Sequence, residues 1–308
     1  MLVYVFLIIG FILLIKGADF FVEGSSSVAK ILRVPSVIIG LTIVAFGTSA
    51  PELAVSITAA LGGNNDIAVG NVIGSNIFNL LMVLGVCGVI MPMEINKKIL
   101  NGDFWFSILV AAVLFVMMFL DHTVDRFDGI ILLCFFAFFL YKTIRHALNN
   151  RVEVTDELQP LSPLRSILYI LGGIVAIVYG GNIVVDAAST IAATFGLSQT
   201  LIGLTVVALG TSLPELVTSI VAAKHGENGL ALGNVVGSNI FNILMVLAGS
   251  ASITPIKVSV LSVYDAACLI VFSIIGWFLA RSRYEISRKE GIIMVLMYVG
   301  YTVYIIMR

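Results

Sequence analysis

AFGTSAPEL, residues 45–53, sets a proline and a glutamate inside a long apolar run of this chain. IIGLTIV precedes the stretch, AVSITAA follows it, and the pattern recurs as ALGTSLPEL at residues 208–216. Proline removes one helical hydrogen bond and clashes with the preceding turn. A carboxylate in a membrane-spanning segment is expensive and marks a functional site by default. The two stretches therefore predict broken helices that carry a site.

The composition around these stretches is that of a membrane protein. Of the 308 residues, 59% are hydrophobic and only 11% are charged, whereas soluble domains have about 25% charged residues. Several apolar runs reach the roughly 20 residues that a helix needs to cross a bilayer. They lack the alternation of an outer-membrane barrel strand. We therefore predict an all-α polytopic membrane protein in contact with a lipid bilayer, and the net charge of −1 indicates no nucleic-acid partner.

Hydropathy predicts ten transmembrane helices. They lie at approximately residues 2–30, 34–61, 65–90, 102–120, 127–147, 164–195, 198–224, 228–252, 258–280 and 289–307. The longest polar stretch, residues 149–163, is interpreted as a linker between a first half (1–148) and a second half (164–308). Most Lys and Arg residues of the loops fall on the side opposite the N-terminus. The positive-inside rule then puts both termini outside the cytoplasm, the linker inside it, and the protein in the cell membrane.

The chain repeats itself at a constant offset of 163 residues, the separation of Ala45 from Ala208. VGNVIGSNIFNLLMVLG at residues 69–85 matches LGNVVGSNIFNILMVLA at residues 232–248 in the same register. Each predicted half has an odd number of spans, five, so the halves enter the membrane from opposite sides. Such inverted repeats are typical of secondary transporters. The alternative is a duplication that serves packing only.

The GTS.PE segments offer oxygen ligands. Thr48 and Ser49 precede Glu52 by four and three residues, spacings that share one face of a helix. The second segment repeats this arrangement with Thr211, Ser212 and Glu215. The proline break loosens backbone carbonyls, among them those of Ala45 and Ala208, and hard cations prefer oxygen. The alternative, a kink whose glutamate pairs with Lys or Arg, is disfavoured because no basic residue lies within several turns.

The GSNIFN segments add a polar stripe to each half. Asn71, Ser75 and Asn79 recur every four residues, and their equivalents are Asn234, Ser238 and Asn242. Ser75, Asn79, Ser238 and Asn242 lie deeper in their spans, where an unsatisfied amide costs several kcal/mol, and we interpret them as ligands. For Asn71 and Asn234, helix packing and ligation both stay open. An all-oxygen set favours Ca²⁺, Na⁺ or K⁺ over zinc or copper.

These motif pairs resemble the α-repeats of the cation/calcium exchanger superfamily, in its sodium/calcium exchanger branch, and above all the short prokaryotic calcium/sodium antiporters. The resemblance implies ten helices, with the second, third, seventh and eighth at the centre and the first and sixth sliding to alternate access. It also implies Ca²⁺/Na⁺ antiport without a cofactor. By motif, it implies ion ligation by Thr48, Ser49, Glu52, Ser75, Asn79, Thr211, Ser212, Glu215, Ser238 and Asn242, with backbone oxygens of Ala45 and Ala208.

One position departs from part of that superfamily, whose members in some cases have aspartate where this chain has Asn242. The predicted site then has two carboxylates, Glu52 and Glu215, which one Ca²⁺ or two Na⁺ would neutralise. This leaves the number of exchanged Na⁺ ions open. A Ca²⁺/H⁺ antiporter and a K⁺-dependent exchanger also stay open as alternative functions. A channel is disfavoured because inverted repeats around one central site indicate alternating access. No motif supplies a nucleophile and base, so we predict no enzyme, and the oligomeric state stays open.

Overall fold

The computed structural model describes residues 2–149, 160–196 and 208–307, and these residues are almost entirely helical. The α-helices are α1 (Leu2–Leu32), α2 (Ser36–Ile39), α3 (Ala45–Thr48), α4 (Ala50–Leu61), α5 (Asn65–Phe78), α6 (Leu84–Ile90), α7 (Lys97–Asn101), α8 (Asp103–Asp121), α9 (Arg126–Asn149), α10 (Pro163–Thr194), α11 (Ala208–Gly210), α12 (Leu213–Lys224), α13 (Asn228–Phe241), α14 (Ala248–Ile253), α15 (Val260–Arg283) and α16 (Arg288–Met307). In the described ranges, the π-helical segments that interrupt them are π1 (Gly40–Val44), π2 (Asn79–Val83) and π3 (Asn242–Leu247).

The membrane-spanning prediction agrees with these helices wherever they are described. In the described ranges, eight helices are long and apolar enough to cross a bilayer. The number is nine if the bent pair of Ser36–Thr48 and Ala50–Leu61 forms one span. The predicted span 198–224 is described only from Ala208, as α11 and α12, and residues 197–207 lie outside the described residues. Of the predicted linker, residues 150–159 also lie outside them. The all-helical membrane fold is confirmed.

Large apolar side chains cover the outer surface of the spanning helices. Examples on three different helices are Leu120, Phe127 and Leu168, all exposed. In water such a surface would be an aggregation hazard, whereas in a bilayer it contacts lipid. The polar side chains that are fully buried instead lie toward the centre, mainly on α4, α5, α12 and α13.

The helix of the first GTS.PE stretch breaks at Ser49. Its two parts, Ser36–Thr48 and Ala50–Leu61, meet at an angle of 47°, and Ser49 itself leaves helical geometry with φ −82° and ψ 5°. Pro51 occupies the first turn of α4 and has no N–H to donate to the carbonyl four residues earlier, that of Gly47. The predicted broken helix is therefore present, with the hinge two residues before the proline.

The two GSNIFN helices run antiparallel to each other. α5, π2 and α6 form one helix over Asn65–Ile90, and α13, π3 and α14 form another over Asn228–Ile253. Residues 63–67, where the first begins, line one cavity of about 410 Å³ with residues 257–259, which follow the end of the second. We call this end of the molecule the α5 face, and the end where α13 begins the α13 face.

Two short antiparallel ribbons connect loops that are far apart in the sequence. β1 (Met93–Glu94) pairs with β4 (Glu285–Ile286) at the α13 face, and β2 (Thr123–Val124) pairs with β3 (Ile256–Lys257) at the α5 face. Each ribbon joins one strand from each half of the chain. The equivalent positions of the repeat are therefore at opposite faces, because β1 and β3 are 163 residues apart.

The long helices α1 and α10 pack against each other through glycines. A Cβ on Gly17 would lie 3.0 Å from the carbonyl oxygen of Gly173, and one on Gly173 would lie 2.8 Å from that of Gly17. Gly10 and Gly180 repeat this reciprocal contact. Small residues of this kind let two membrane helices approach backbone to backbone. The pair lies beside the four helices that carry the motifs.

Candidate cation site

Glu52 is fully buried and lies at the centre of the first motif. Its Oε1 accepts a hydrogen bond from Ser212 Oγ at 3.1 Å and one from Ser75 Oγ at 3.4 Å. The two hydroxyls also contact each other, since Ser212 Oγ and Ser75 Oγ lie 2.9 Å apart. Glu52 is thus held by one serine of the neighbouring helix α5 and by one serine from the other half of the chain.

Glu215 occupies the equivalent position in the second half. It is fully buried, and its Oε1 accepts from Ser49 Oγ at 3.2 Å. The hinge serine of each broken helix therefore donates to the glutamate of the other one. This exchange brings the two GTS.PE motifs together in one cluster.

Asparagines of the stripe brace both glutamate helices. Asn71 Nδ2 donates to Glu52 O at 3.2 Å and to Ser56 Oγ at 2.9 Å. In the second half, Asn234 Nδ2 makes the matching bonds, to Glu215 O at 3.4 Å and to Ser219 Oγ at 2.9 Å. The bonds to the backbone fix the turn that carries each glutamate, which favours a supporting role for these two asparagines.

The threonines of the motifs bind these asparagines across the halves. Thr48 Oγ1 donates to Asn234 Oδ1 at 3.0 Å and lies 3.4 Å from Ser238 Oγ. Thr211 Oγ1 donates to Asn71 Oδ1 at 3.3 Å. The hydrogen bonds therefore form two equivalent networks, one around Glu52 and one around Glu215. Each contains three of the hydroxyl side chains predicted as ligands and joins both halves of the chain.

Asn79 and Asn242 begin the π-helical segments π2 and π3 and are fully buried. Asn242 Nδ2 donates to Asn76 Oδ1 at 3.1 Å, whereas both side-chain polar atoms of Asn79 have no hydrogen-bond partner among the described residues. π-helical turns widen a helix and are frequent at functional sites. Here they occur at the two deepest predicted ligands.

Several buried acceptor oxygens of the cluster have no donor. Within the described part of the chain, these are Glu52 Oε2, Glu215 Oε2, Asn79 Oδ1 and Asn242 Oδ1. A buried acceptor without a partner costs about 1–3 kcal/mol, and more if it is charged. A cation that binds these oxygens would remove that cost. The residues present therefore fit a hard cation.

The two carboxylates of the cluster have no basic partner among the described residues. In residues 2–149, 160–196 and 208–307 the ion pairs are Lys16–Asp19, Lys142–Asp103 and His225–Asp19, all at partly exposed side chains, and none of them involves a glutamate of the cluster. No group of three or more His, Cys, Asp or Glu side chains gathers in these ranges. The donor set is two carboxylates with neutral oxygens, which suits Ca²⁺ or Na⁺ better than a transition metal.

The cluster is more accessible from the α5 face than from the α13 face. Asn71 and Thr211 are partly exposed and Gly70 is exposed, whereas Thr48 and Asn234 are buried. A Cβ on Gly233, the equivalent of Gly70, would lie 2.5 Å from Val37 O and 2.9 Å from the Cα of Gly40. Tight backbone contact therefore closes the path on the α13 side.

The backbone oxygens of the prediction are only partly described. Ala45 O accepts from Ser49 N at 3.0 Å and lies 3.4 Å from Thr48 Oγ1, so it keeps its helical bond and faces the motif. Ala208 begins α11, and its side chain lies outside the described residues. The proline instead deprives the carbonyl of Gly47 of its helical donor.

Sequence reasoning missed four residues of this network. Ser56 and Ser219 brace the supporting asparagines, and Asn76 and Asn239 bond each other across the halves. A signal for the serines was present, because each lies one helical turn after a motif glutamate in both copies of the repeat. Asn76 and Asn239 are not part of the polar stripe that recurs every four residues, so the helical periodicity did not identify them.

The helices and the exposed apolar surface together define an integral membrane protein with a cluster of oxygen atoms buried at its centre. The chain matches the family described as sodium/calcium exchanger protein over residues 2–145 and 165–307. It therefore belongs to the sodium/calcium exchanger family, and the resemblance to the cation/calcium exchanger superfamily is confirmed.

Individual relatives cover nearly the whole chain. It is 38% identical over 308 residues to a protein named as the antiporter CaxA of Alkalimonas amylolytica, covering 96% of each chain. It is 32% identical to the sodium/calcium exchanger MaX1 of Methanosarcina acetivorans, covering 97% of each. A solved structure of the sodium-calcium exchanger NCX_Mj, soaked with Na⁺ and Ca²⁺, matches with a TM-score of 0.85 and 32% identity over 97% of each chain. These relatives are transporters and not enzymes, which confirms that prediction.

Proposed function

We propose that this protein is a secondary antiporter that exchanges Ca²⁺ for Na⁺ by alternating access to the site built on Glu52 and Glu215. The observation that supports it most is the buried pair of carboxylates with acceptor oxygens that lack donors and no basic partner in the described ranges. A cation is needed to neutralise them, and a single site that holds either ion couples the two fluxes. The names of MaX1 and NCX_Mj point to the same pair of ions.

The proposed ligands are the side chains of both motif pairs. They are Thr48, Ser49, Glu52, Ser75 and Asn79 in the first half, and Thr211, Ser212, Glu215, Ser238 and Asn242 in the second, with backbone oxygens of Ala45 and Ala208. Neutral oxygens outnumber carboxylates in this set, which favours several Na⁺ ions as the alternative cargo to one Ca²⁺. The ions are the substrates, and the chemistry requires no cofactor.

The proposed topology is ten transmembrane helices in two inverted halves, residues 1–148 and 164–308, joined by the linker 149–163. The β2–β3 pairing supports it, because it requires an even number of crossings between Val124 and Ile256. α9, α10 and the helix Asn228–Ile253 supply three. In this proposal the predicted span 198–224, which includes α12, supplies the fourth.

The proposed orientation puts the α13 face in the cytoplasm of the cell and both termini outside it. Basic residues near that face support this by the positive-inside rule. They are Lys30, Arg33, Lys97, Lys98, Lys142, Arg145, Arg165, Lys224, Arg281, Arg283, Arg288 and Lys289. The described conformation, accessible from the α5 face, would then be the outward-open state of the exchange cycle.

The driving ion is tested by transport into proteoliposomes of the purified protein. Isotopic Ca²⁺ uptake is measured with Na⁺ inside and none outside, at equal pH, and then with a pH gradient or a K⁺ gradient at equal Na⁺. We expect the Na⁺ gradient alone to drive uptake. Uptake driven by the pH gradient and indifferent to Na⁺ would replace this function with Ca²⁺/H⁺ antiport, and a strict need for K⁺ opposite Ca²⁺ would make it a K⁺-dependent exchanger.

A further inference from the structure

Asn76 of α5 and Asn239 of α13 bond each other reciprocally between the two motif helices. Asn76 Nδ2 donates to Asn239 O at 3.1 Å, and Asn239 Nδ2 donates to Asn76 O at 3.2 Å. The two residues are separated by 163 positions, the offset of the repeat, so each is the equivalent of the other. Both are at least nine-tenths buried, and neither belongs to the proposed ligand set.

The reciprocal bonds fix the orientation of both amide groups. A backbone carbonyl only accepts hydrogen bonds, so each side chain has to turn its NH₂ group toward the facing helix. The side-chain oxygen of each asparagine is then left for a different neighbour. Because the accepting groups are backbone carbonyls, the orientation of each amide does not depend on the rotamer of any other side chain.

Asn76 uses its oxygen to orient a proposed ligand. Asn76 Oδ1 accepts from Asn242 Nδ2 at 3.1 Å. This bond engages the donor of Asn242, and Asn242 Oδ1 is left buried without a hydrogen-bond partner in the described residues. Asn242 therefore offers its acceptor to a cation, and its donor is kept away from the ion.

The equivalent bond of the first half is not made. By the repeat it would run from Asn79 Nδ2 to Asn239 Oδ1, but both atoms are buried and have no hydrogen-bond partner within the described ranges. An unpaired amide donor and an unpaired acceptor at two neighbouring positions are each unfavourable. The two halves are thus unequal at the positions where their sequences, GSNIFN in both, are identical.

We propose that Asn76 and Asn239 are positioning residues that orient Asn242 and Asn79, respectively, as cation ligands in alternate states of the transport cycle. In the conformation accessible from the α5 face, the bond to Asn242 is made and the bond to Asn79 is open. In the conformation accessible from the α13 face, the roles exchange. This inference rests on the proposed alternating access. It adds a switch between the two states, in which either Asn242 or Asn79 has its side-chain oxygen oriented toward the cation.

Asn76→Ala and Asn239→Ala form a matched pair for testing it. Each removes one of the reciprocal bonds, so a purely structural role predicts equal effects of the two. The apparent KM for Ca²⁺ and the maximal rate are measured in right-side-out and inverted membrane vesicles, which present opposite faces. We expect Asn76→Ala to raise the KM about tenfold at the α5 face and Asn239→Ala to raise it about tenfold at the α13 face, with maximal rates nearly kept.

A double variant tests whether Asn76 acts through Asn242. In an Asn242→Ala background, Asn76→Ala should cause no further rise in the KM at the α5 face, because the group it orients is gone. If the alanine variants are not recovered folded, Asn76→Ser and Asn239→Ser carry the same comparison. A serine hydroxyl is too short to reach both the facing carbonyl and the next asparagine.

The outcomes separate this proposal from the proposed function. The positioning role would be overturned if both variants changed the KM equally at both faces, if neither changed it, or if the effects were additive in the double variant. Ca²⁺ transport by the unaltered protein would still stand in each of these cases. Absence of Ca²⁺ transport and of Ca²⁺ binding in the unaltered protein would instead overturn the proposed function itself. Calorimetric titration of the detergent-solubilised protein with CaCl₂ supplies that second measurement.

Discussion

Replacing Glu52 with glutamine removes half of the proposed site's negative charge and little else. Glu52 is fully buried, and Ser212 and Ser75 both donate to its Oε1. The side-chain oxygen of a glutamine can accept the same two bonds, so we expect Glu52→Gln to fold. What the variant cannot supply is the charge that balances a divalent ion, in a site where no described basic residue pairs with either glutamate.

The size of the effect follows from the burial of that charge. Breaking a buried charge pair by removing one partner costs about 3–5 kcal/mol. At about 1.4 kcal/mol for each factor of ten, the affinity for Ca²⁺ should fall roughly 100- to 4,000-fold. Glu215→Gln should behave alike, because Glu215 is equally buried and is held by Ser49 in the same way.

Calorimetric titration with CaCl₂ and Na⁺-driven Ca²⁺ uptake both measure this loss. Glu94→Gln is the matched control, since Glu94 is exposed on β1 and away from the cluster. The melting temperature of each purified variant shows whether the fold is kept. If both site variants fold and still bind and transport Ca²⁺ within about threefold of the unaltered protein, the cation is bound elsewhere and the reasoning from buried acceptors is wrong.

The other predictions concern selectivity, topology and packing. Asn242→Asp adds a third carboxylate, so it should change the Na⁺ dependence of uptake more than the Ca²⁺ affinity; the reverse order in the two titrations would refute this. In a variant without its native cysteines, a cysteine at position 307 should react with an impermeant thiol reagent on intact cells, and one at Pro160 should not; the opposite pattern would invert the topology. Gly233→Ala should lower the melting temperature, because overpacking costs about 1–3 kcal/mol of stability. Gly70→Ala should not lower it, because a Cβ there meets no atom of the described residues within 4 Å. Equal melting temperatures of the two variants would contradict the packing argument.

Much of the membrane fold could be predicted from hydropathy and the repeat alone. Spans such as 65–90 and 228–252 match the continuous helices Asn65–Ile90 and Asn228–Ile253 to within a residue or so, because length and apolarity decide whether a helix crosses a bilayer. The prediction that both GTS.PE motifs contribute to one site rested on the repeat and on the family resemblance, and the structure places Glu52 and Glu215 within reach of serines from the other half.

Helical periodicity could not predict how those motifs contact each other. It placed Ser49 on the same helix face as Glu52, but Ser49 is the hinge residue and its hydroxyl donates to Glu215. The rule that residues three or four positions apart share a helix face assumes a continuous helix. It does not apply across the 47° bend at Ser49. Ser212, the equivalent of Ser49, likewise donates to the glutamate of the other half, Glu52. Contacts between the halves therefore needed the structure.

The unequal environments of equivalent glycines connect the fold with the proposed transport cycle. Gly40 and Gly233 approach so closely that a Cβ on Gly40 would lie 3.0 Å from the Cα of Gly233, and this contact closes the α13 side of the site. Their equivalents are Gly203, outside the described residues, and Gly70, which is exposed. No atom of the described residues would lie within 4 Å of a Cβ at position 70. The proposed alternating access would give this glycine a function. If the halves exchange roles, the α5 side would close by the same kind of backbone contact, and a glycine at position 70 would be needed for it.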